Sequence, residues 1–336
     1  MNLPLLLVIS IFAGILPMIC WSVLVWWLDR YEKEPLRLLL ISFLWGMLPA
    51  IAISLALELI LDLPGPSHLG LQNPEFSFLN ANVLAPIIEE GVKLLGLLGI
   101  FIIAQKEIDD PLDGIIYGAM VGFGFAAGEN FLYFLTSQTV TELILLIFLR
   151  AMIFGSMHAL FTSIVGWGLA LAKYARNPWK VFLWPAGGFV LAVSLHIVHN
   201  LGLFWVRQTP WAFYLSLLSF GIGFFLIVWL FLGSLLRERK VIRKYLAIFS
   251  KEGILLPDQL ETAGSLRMRW QAEWNAIRSL NIKKYFAVSR VHTIYAELAF
   301  KEKQRQLWGQ DPVLERQIGD LIREMQALWR VYRPLI

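Results

Sequence analysis

The chain has 336 residues, 57% of them hydrophobic and only 16% charged, with a mean hydropathy of +0.63 and a formal net charge of +4. A water-soluble globule of this length needs far more polar surface, so the composition excludes one and makes the bilayer the expected solvent. The single cysteine, Cys20, excludes an intrachain disulfide and a CxxC metal knuckle. The charge is unevenly spread: residues 1–236 hold 10 Lys/Arg and 14 Asp/Glu, whereas residues 237–336 hold 19 and 11. A nearly apolar body is therefore followed by a basic tail.

About 20 apolar residues cross a hydrocarbon core, and seven such spans are predicted at about 4–28, 36–61, 81–104, 114–136, 143–172, 181–206 and 211–236. The first has no basic residue ahead of it and no small-residue cleavage site. It also lacks small side chains before Cys20, so a retained helix is expected. Breaks fall at Leu63-Pro64-Gly65-Pro66 and Asp109-Asp110-Pro111, and the fifth span is long enough to be tilted or broken. Basic residues set the orientation. One set of connections carries Arg30, Lys33, Arg37, Lys106, Lys173, Arg176, Lys180, Arg237, Arg239, Lys240, Arg243 and Lys244; the other carries only Arg207. A multi-pass protein of the plasma membrane is expected, with its N-terminus outside and its C-terminus in the cytoplasm.

Residues 237–336 contain no spanning run. Ile318, Leu321, Ile322, Met325, Leu328 and Trp329 recur at helical spacing, as in a small bundle packed on its own core or lying against the inner leaflet. The expected fold is all-α: a transmembrane domain, 1–236, and a basic cytoplasmic helical domain, 237–336.

Charges inside a bilayer cost at least about 2.5–3.5 kcal/mol on insertion scales, so they are rare and usually functional. This chain has several. The third span contains Glu89, Glu90 and Lys93, and the fourth Glu129 and Asn130. The fifth contains Arg150 and His158, and the sixth His196, His199 and Asn200. Counted at 1.5 Å per residue, most lie about two turns below the outer face, with His158 deeper, as a shared wet cavity requires. Plainer readings exist for each. Glu89 and Lys93, four apart, share a helix face and can neutralise one another, which leaves Glu90 needing Arg150, a proton or a metal. His196 and Asn200 can join helices by hydrogen bonds. Glu58 and Asp62 are read as interfacial, and His68 and His292 as solvated. Gly118, Gly122, Gly124 and Gly128 suit close helix packing around Glu129.

Paired carboxylates can take a proton from water that attacks a carbonyl, and His and Asn can stabilise the resulting oxyanion. Glu89, Glu90, Lys93, His196 and Asn200 are the catalytic candidates. Glu129, His158, His196 and His199 are candidate ligands for a divalent metal such as zinc. No HExxH motif is present.

Glu89-Glu90-x-x-Lys93, Phe125-Ala126-x-x-Glu129-Asn130 and His196-x-x-x-Asn200, in this order, resemble the motifs of the PrsW family of intramembrane proteases. Tyr31-Glu32-Lys33-Glu34-Pro35 also resembles that family's pattern, and the likeness covers about residues 29–205. It is similar to the wider superfamily that includes the CAAX prenyl endopeptidase. Glu129 stands where that enzyme has His, however, and Lys93 is one residue nearer than its Arg, which argues against prenylated substrates. The resemblance implies a membrane-embedded endopeptidase, paired glutamates that activate water, histidines that complete the site, and substrates that are themselves membrane proteins. The expected partners are such a substrate and the lipid bilayer, with no nucleic acid. A proton- or ion-coupled transporter also uses buried Glu and His, but no inverted repeat is visible. A non-catalytic membrane interaction protein is the third class.

Overall fold

The computed structural model describes residues 2–62, 78–105, 107–206, 208–309 and 311–332. The predicted break at 63–66, His68, and two residues used for orientation, Lys106 and Arg207, lie outside these. The described residues are all-α, with no strand among them. The helices are α1 (Leu3–Leu28), α2 (Leu36–Trp45), α3 (Ile51–Asp62), α4 (Ala85–Ile103), α5 (Pro111–Leu135), α6 (Val140–Leu146), α7 (Met157–Lys173), α8 (Pro178–Trp205), α9 (Phe213–Lys251), α10 (Pro257–Ala263), α11 (Leu266–Arg278), α12 (Ile282–Trp308) and α13 (Pro312–Tyr332).

Six helical stretches among the described residues are long and apolar enough to cross a bilayer: Leu3–Leu28, Leu36–Ile60, Pro111–Leu135, Val140–Lys173, Pro178–Trp205 and Pro210–Lys251. The remaining expected span forms a π-helical turn, Asn80–Leu84, running into α4; three charged residues, Glu89, Glu90 and Lys93, set it apart from the six. The second stretch contains a π-helical turn at Gly46–Ala50 that includes Pro49, as expected where proline removes an amide donor. The fourth stretch, which is the fifth expected span, is broken: α6 ends in a π-helical segment, Ile147–Ile153, before α7 begins at Met157.

Two compact units emerge, residues 1–28 with 34–231, and residues 29–33 with 232–336. In the first, α5 is the most enclosed span. Its start is locally encoded: Pro111 opens the helix, the Asp110 side chain accepts from the Leu112 amide, and Asp113 Oδ2 accepts from the amides of Asp109 and Asp110 at 2.6 and 2.7 Å. Its glycines let neighbouring backbones approach. A Cβ at Gly122 would lie 2.4 Å from Ala159 Cα on α7, and one at Gly124 would lie 1.9 Å from the Phe43 carbonyl oxygen on α2. The glycine repeat thus serves two packing faces, holding α2 and α7 against the helix that carries Glu129. Near the other end, Tyr117 donates a hydrogen bond to the buried Glu34 carboxylate.

In the second unit, Ile242, Leu246 and Phe249 of α9 form a core with Val291, Tyr295 and Leu298 of α12 and Ile318, Leu321 and Met325 of α13. The predicted stripe on α13 is therefore a core face; Ile322, Leu328 and Trp329 pack against it. Arg269 is buried and donates to the carbonyls of Arg30 and Tyr31 at 3.2 and 3.1 Å, His292 at 2.7 Å and Ala263 at 3.1 Å. Its guanidinium also lies over the Tyr31 ring, 4.8 Å from the centroid. Burial lowers Arg269 to about 10, still well above neutrality, so the charge persists inside the bundle. His292 is not solvated as expected. It is buried, with Nδ1 3.3 Å from Glu273 Oε1, because α12 turns it inward toward α11.

Candidate active site

Four helices bring the polar residues of the spans together. On α4, Glu90 and Lys93 are fully buried, and Lys93 Nζ donates to Glu90 Oε1 at 2.8 Å. The expected pair with Glu89 is also present but longer, at 3.5 Å to Oε2, so Glu90 is not left over. Residues three apart on a helix are neighbours as much as those four apart, and packing decides between them. Lys93 also donates to His158 Nδ1 on α7 at 3.0 Å and lies over the Phe125 ring, 3.7 Å from its centroid.

The donor inventory fixes the histidines. An ammonium can only donate, so His158 Nδ1 accepts and its Nε2–H points to Glu129 Oε2, 2.7 Å away. The same Glu129 oxygen receives Arg150 at 2.7 Å, and Arg150 Nε donates to Asn130 Oδ1 at 3.2 Å. On α8, His196 donates through Nδ1 to Glu90 Oε1 at 3.1 Å, while Thr162 donates to Glu90 Oε2 at 3.3 Å. Glu90 therefore orients a lysine, a histidine and a threonine from three helices. His196 Nε2 is left as an acceptor, 3.9 Å from Glu89 Oε2.

Glu89 Oε2 is the distinctive atom. It is buried and has no hydrogen-bond partner. Glu89 lines a cleft of about 260 Å³ between α3, α4 and α5, together with Glu58, Glu129, Ser54, Phe125 and Tyr133. Glu58, expected at the interface, thus belongs to the cleft; Ile51, Ser54, Leu55 and Glu58 form an i, i+3, i+4, i+7 stripe on α3, a signal available in the sequence. Around the cleft stand four carboxylates, Glu58, Glu89, Glu90 and Glu129, against two fixed cations, Lys93 and Arg150. Two formal negative charges remain to be balanced by protons or by a divalent cation.

Two candidates are not brought to this centre. His199 Nδ1 is 2.5 Å from Ser216 Oγ on α9, and its ring packs edge-on against Phe154. Asn200 Nδ2 donates to the Ala81 carbonyl at 3.1 Å, tying α8 to the π-helical turn before α4. Among the described residues, one group of three potential ligands has donor atoms within 4.8 Å of one another: Glu89, His158 and His196.

A multi-helix membrane protein with a buried glutamate–histidine centre opening on a cleft has the makings of an intramembrane hydrolase. The sequence model of a family described as PrsW family intramembrane metalloprotease matches residues 34–233, and the chain belongs to that family. It is 34% identical over 212 residues to Protease PrsW of Geobacillus kaustophilus, covering 62% of this chain and 84% of that protein. With Protease PrsW of Bacillus subtilis it shares 30% identity over 205 residues, 61% of this chain and 86% of that one. No solved structure matches. Membership decides among the three classes: the protein is an integral, multi-pass intramembrane endopeptidase that acts on membrane-protein substrates within the bilayer. The Glu/His/His group is consistent with the metal that the family description implies.

Proposed function

We propose that Glu89 is the group that takes the proton from the attacking water, and that Glu90 is a positioning residue. The observation carrying this division is the contrast between their oxygens: Glu89 Oε2 is buried beside the cleft with no hydrogen-bond partner, whereas Glu90 is saturated by Lys93, His196 and Thr162. A carboxylate spent on three donors has little basicity left for water; one whose oxygen accepts no hydrogen bond is a competent acceptor. In this reading the Nδ1–H bond to Glu90 sets the tautomer of His196 and turns its Nε2 from α8 toward Glu89 Oε2. Glu129 and Arg150 fix His158 from the other side. Asn200 acts at one remove, through its bond to the start of the α4 segment.

Glu89, His158 and His196 would hold a divalent cation such as zinc. The fit rests on the Glu89 oxygen that accepts no hydrogen bond, the His196 nitrogen facing it, the closeness of a His158 ring nitrogen to both, and two uncompensated formal charges. Bound there, such an ion would polarise the scissile carbonyl and acidify water. Glu90 on His196 and Glu129 on His158 are carboxylates of the kind that orient metal-bound imidazoles. Protein purified without chelator is expected to carry about one zinc per chain by mass spectrometry, falling at least about tenfold in Glu89→Gln or His196→Ala, as loss of a ligand predicts. Cleavage of a membrane-tethered reporter should stop on chelation and return with zinc. Full activity in metal-free protein would sink the metal part and leave the carboxylate as base.

The orientation that follows from the basic connections puts the C-terminus in the cytoplasm of a plasma-membrane protein, with residues 1–236 as the protease domain and 237–336 as a cytoplasmic helical domain. A reporter enzyme active only outside the cell, fused after Ile336, should be silent; strong activity would invert the topology.

A further inference from the structure

The second unit has a surface that its own packing leaves uncovered. Trp270 and Trp274, four apart on α11, are 52% and 41% exposed and stack with ring centroids 5.9 Å apart. Ile277 continues their face, and the turn into α12 adds Leu280, Ile282 and Phe286 at 93%, 73% and 64% exposure. Soluble surfaces rarely gather so much large apolar area in one run of sequence.

The turn itself is costly. Leu280 has φ +53°, in the left-handed region that glycine or asparagine normally fills, so an L side chain here carries strain of about 1 kcal/mol. The bulkiest exposure in the unit therefore occurs where a small residue would have been cheaper and more soluble. Packing within the unit does not explain a leucine there.

The charges along this stretch of sequence are nearly all of one sign. Arg267, Arg278, Lys283 and Lys284 flank the apolar residues, and between Glu261 and Glu297 the one acidic residue is Glu273, engaged by Arg30 and His292. An apolar face with tryptophans, rimmed by cations, fits the headgroup and upper acyl region of an anionic bilayer. A protein partner would need a complementary acidic groove. The bilayer is already present, because α9 continues from a membrane span into this unit without a helix break.

We propose that α11, the turn 279–281 and the start of α12 form a membrane-inserting tip that docks on anionic phospholipid, with Leu280, Ile282 and Phe286 entering the acyl region and the Trp270–Trp274 pair at the headgroups. The tip lies outside the family match, which ends at residue 233, so it is an attachment of this chain's own tail. It does not depend on the catalytic assignments above.

The test uses the full-length protein in nanodiscs, with Cys20, the single cysteine, changed to alanine. An environment-sensitive fluorophore is placed by Leu280→Cys, and at the exposed polar reference position by Arg316→Cys. In discs of phosphatidylcholine and phosphatidylglycerol, the label at 280 should be quenched several-fold more by doxyl-lipid than the label at 316, and several-fold less by aqueous iodide. Doxyl quenching at 280 should fall at least twofold in pure phosphatidylcholine, and likewise with Arg278→Glu, Lys283→Glu and Lys284→Glu combined. Equal quenching at the two positions overturns the proposal. So does iodide protection without doxyl quenching, which means that protein covers the tip, and quenching indifferent to lipid charge overturns the anionic docking.

Discussion

Glu89→Gln lowers the rate of reporter cleavage by at least about 10²-fold, the range expected for loss of a general base, while leaving the helix bundle folded. The exchange is nearly isosteric, and Glu89 Oε2 has no hydrogen bond to lose. Glu90→Gln behaves differently. Glu90 Oε1 accepts from Lys93 and His196, and Oε2 accepts from Thr162, so an amide satisfies one side and presents a donor to donors on the other. Lys93, fully buried, then loses its nearest counter-charge. Removing one partner of a buried pair costs roughly 3 kcal/mol or more, so this variant loses stability and activity together. It also releases the tautomer of His196, which should move the pH profile of whatever cleavage remains. The pair is read by thermal unfolding in detergent alongside the reporter assay. Undiminished cleavage by Glu89→Gln refutes its role, and a Glu90→Gln variant that is inactive yet as stable as the parent would move the chemistry to Glu90.

Arg269→Met opens the second unit. Four backbone carbonyls, from Arg30, Tyr31, Ala263 and His292, take their hydrogen bonds from this one side chain. Methionine fills the stem volume but supplies no donor. Even if water reaches some of the carbonyls, leaving the rest unsatisfied costs about 1–3 kcal/mol each, so a total near 3 kcal/mol is expected. That is roughly a 100-fold rise in local opening. Hydrogen exchange should show it in residues 29–33 and along α11 and α12, with protection of α5 unchanged. Arg269→Lys should recover little, because an ammonium cannot reproduce the planar fork that spans these acceptors. Unaltered exchange in the variant would show that the guanidinium is dispensable.

The spans and the chemistry-bearing residues were legible because both depend on one coordinate, distance along the chain. Hydrophobic length gives the helices, and counting residues from their ends gives depth, which puts Glu89, Glu90, Glu129 and His196 at similar levels and His158 deeper. The side chains of Glu90, Lys93, Glu129, His158 and His196 are linked by hydrogen bonds in the structure. Rotation about each helix axis was not legible. A helix that is apolar on every side carries no facial signal, so packing alone decides which way a polar side chain points. Hence His199, three residues from His196, meets Ser216 instead of the cluster, and Asn200 meets a carbonyl of another segment. Hence also Lys93 prefers Glu90 to Glu89. Closeness to a helix end makes Glu58 look interfacial, although its stripe with Ile51, Ser54 and Leu55 does point to the cleft. In the tail the α13 periodicity was informative because one side of that helix is wet. The inward turn of His292 left no such trace.

The Arg269 contacts make the two ends of the polypeptide interdependent. The short connection between the first and second membrane helices has two of its carbonyls hydrogen-bonded by a residue more than two hundred positions later. That connection is made early in synthesis and waits, without its donors, until the last hundred residues emerge. Cutting the chain after residue 233, where the family match ends, would therefore strand a stretch of backbone between the first two helices that the tail is built to clasp.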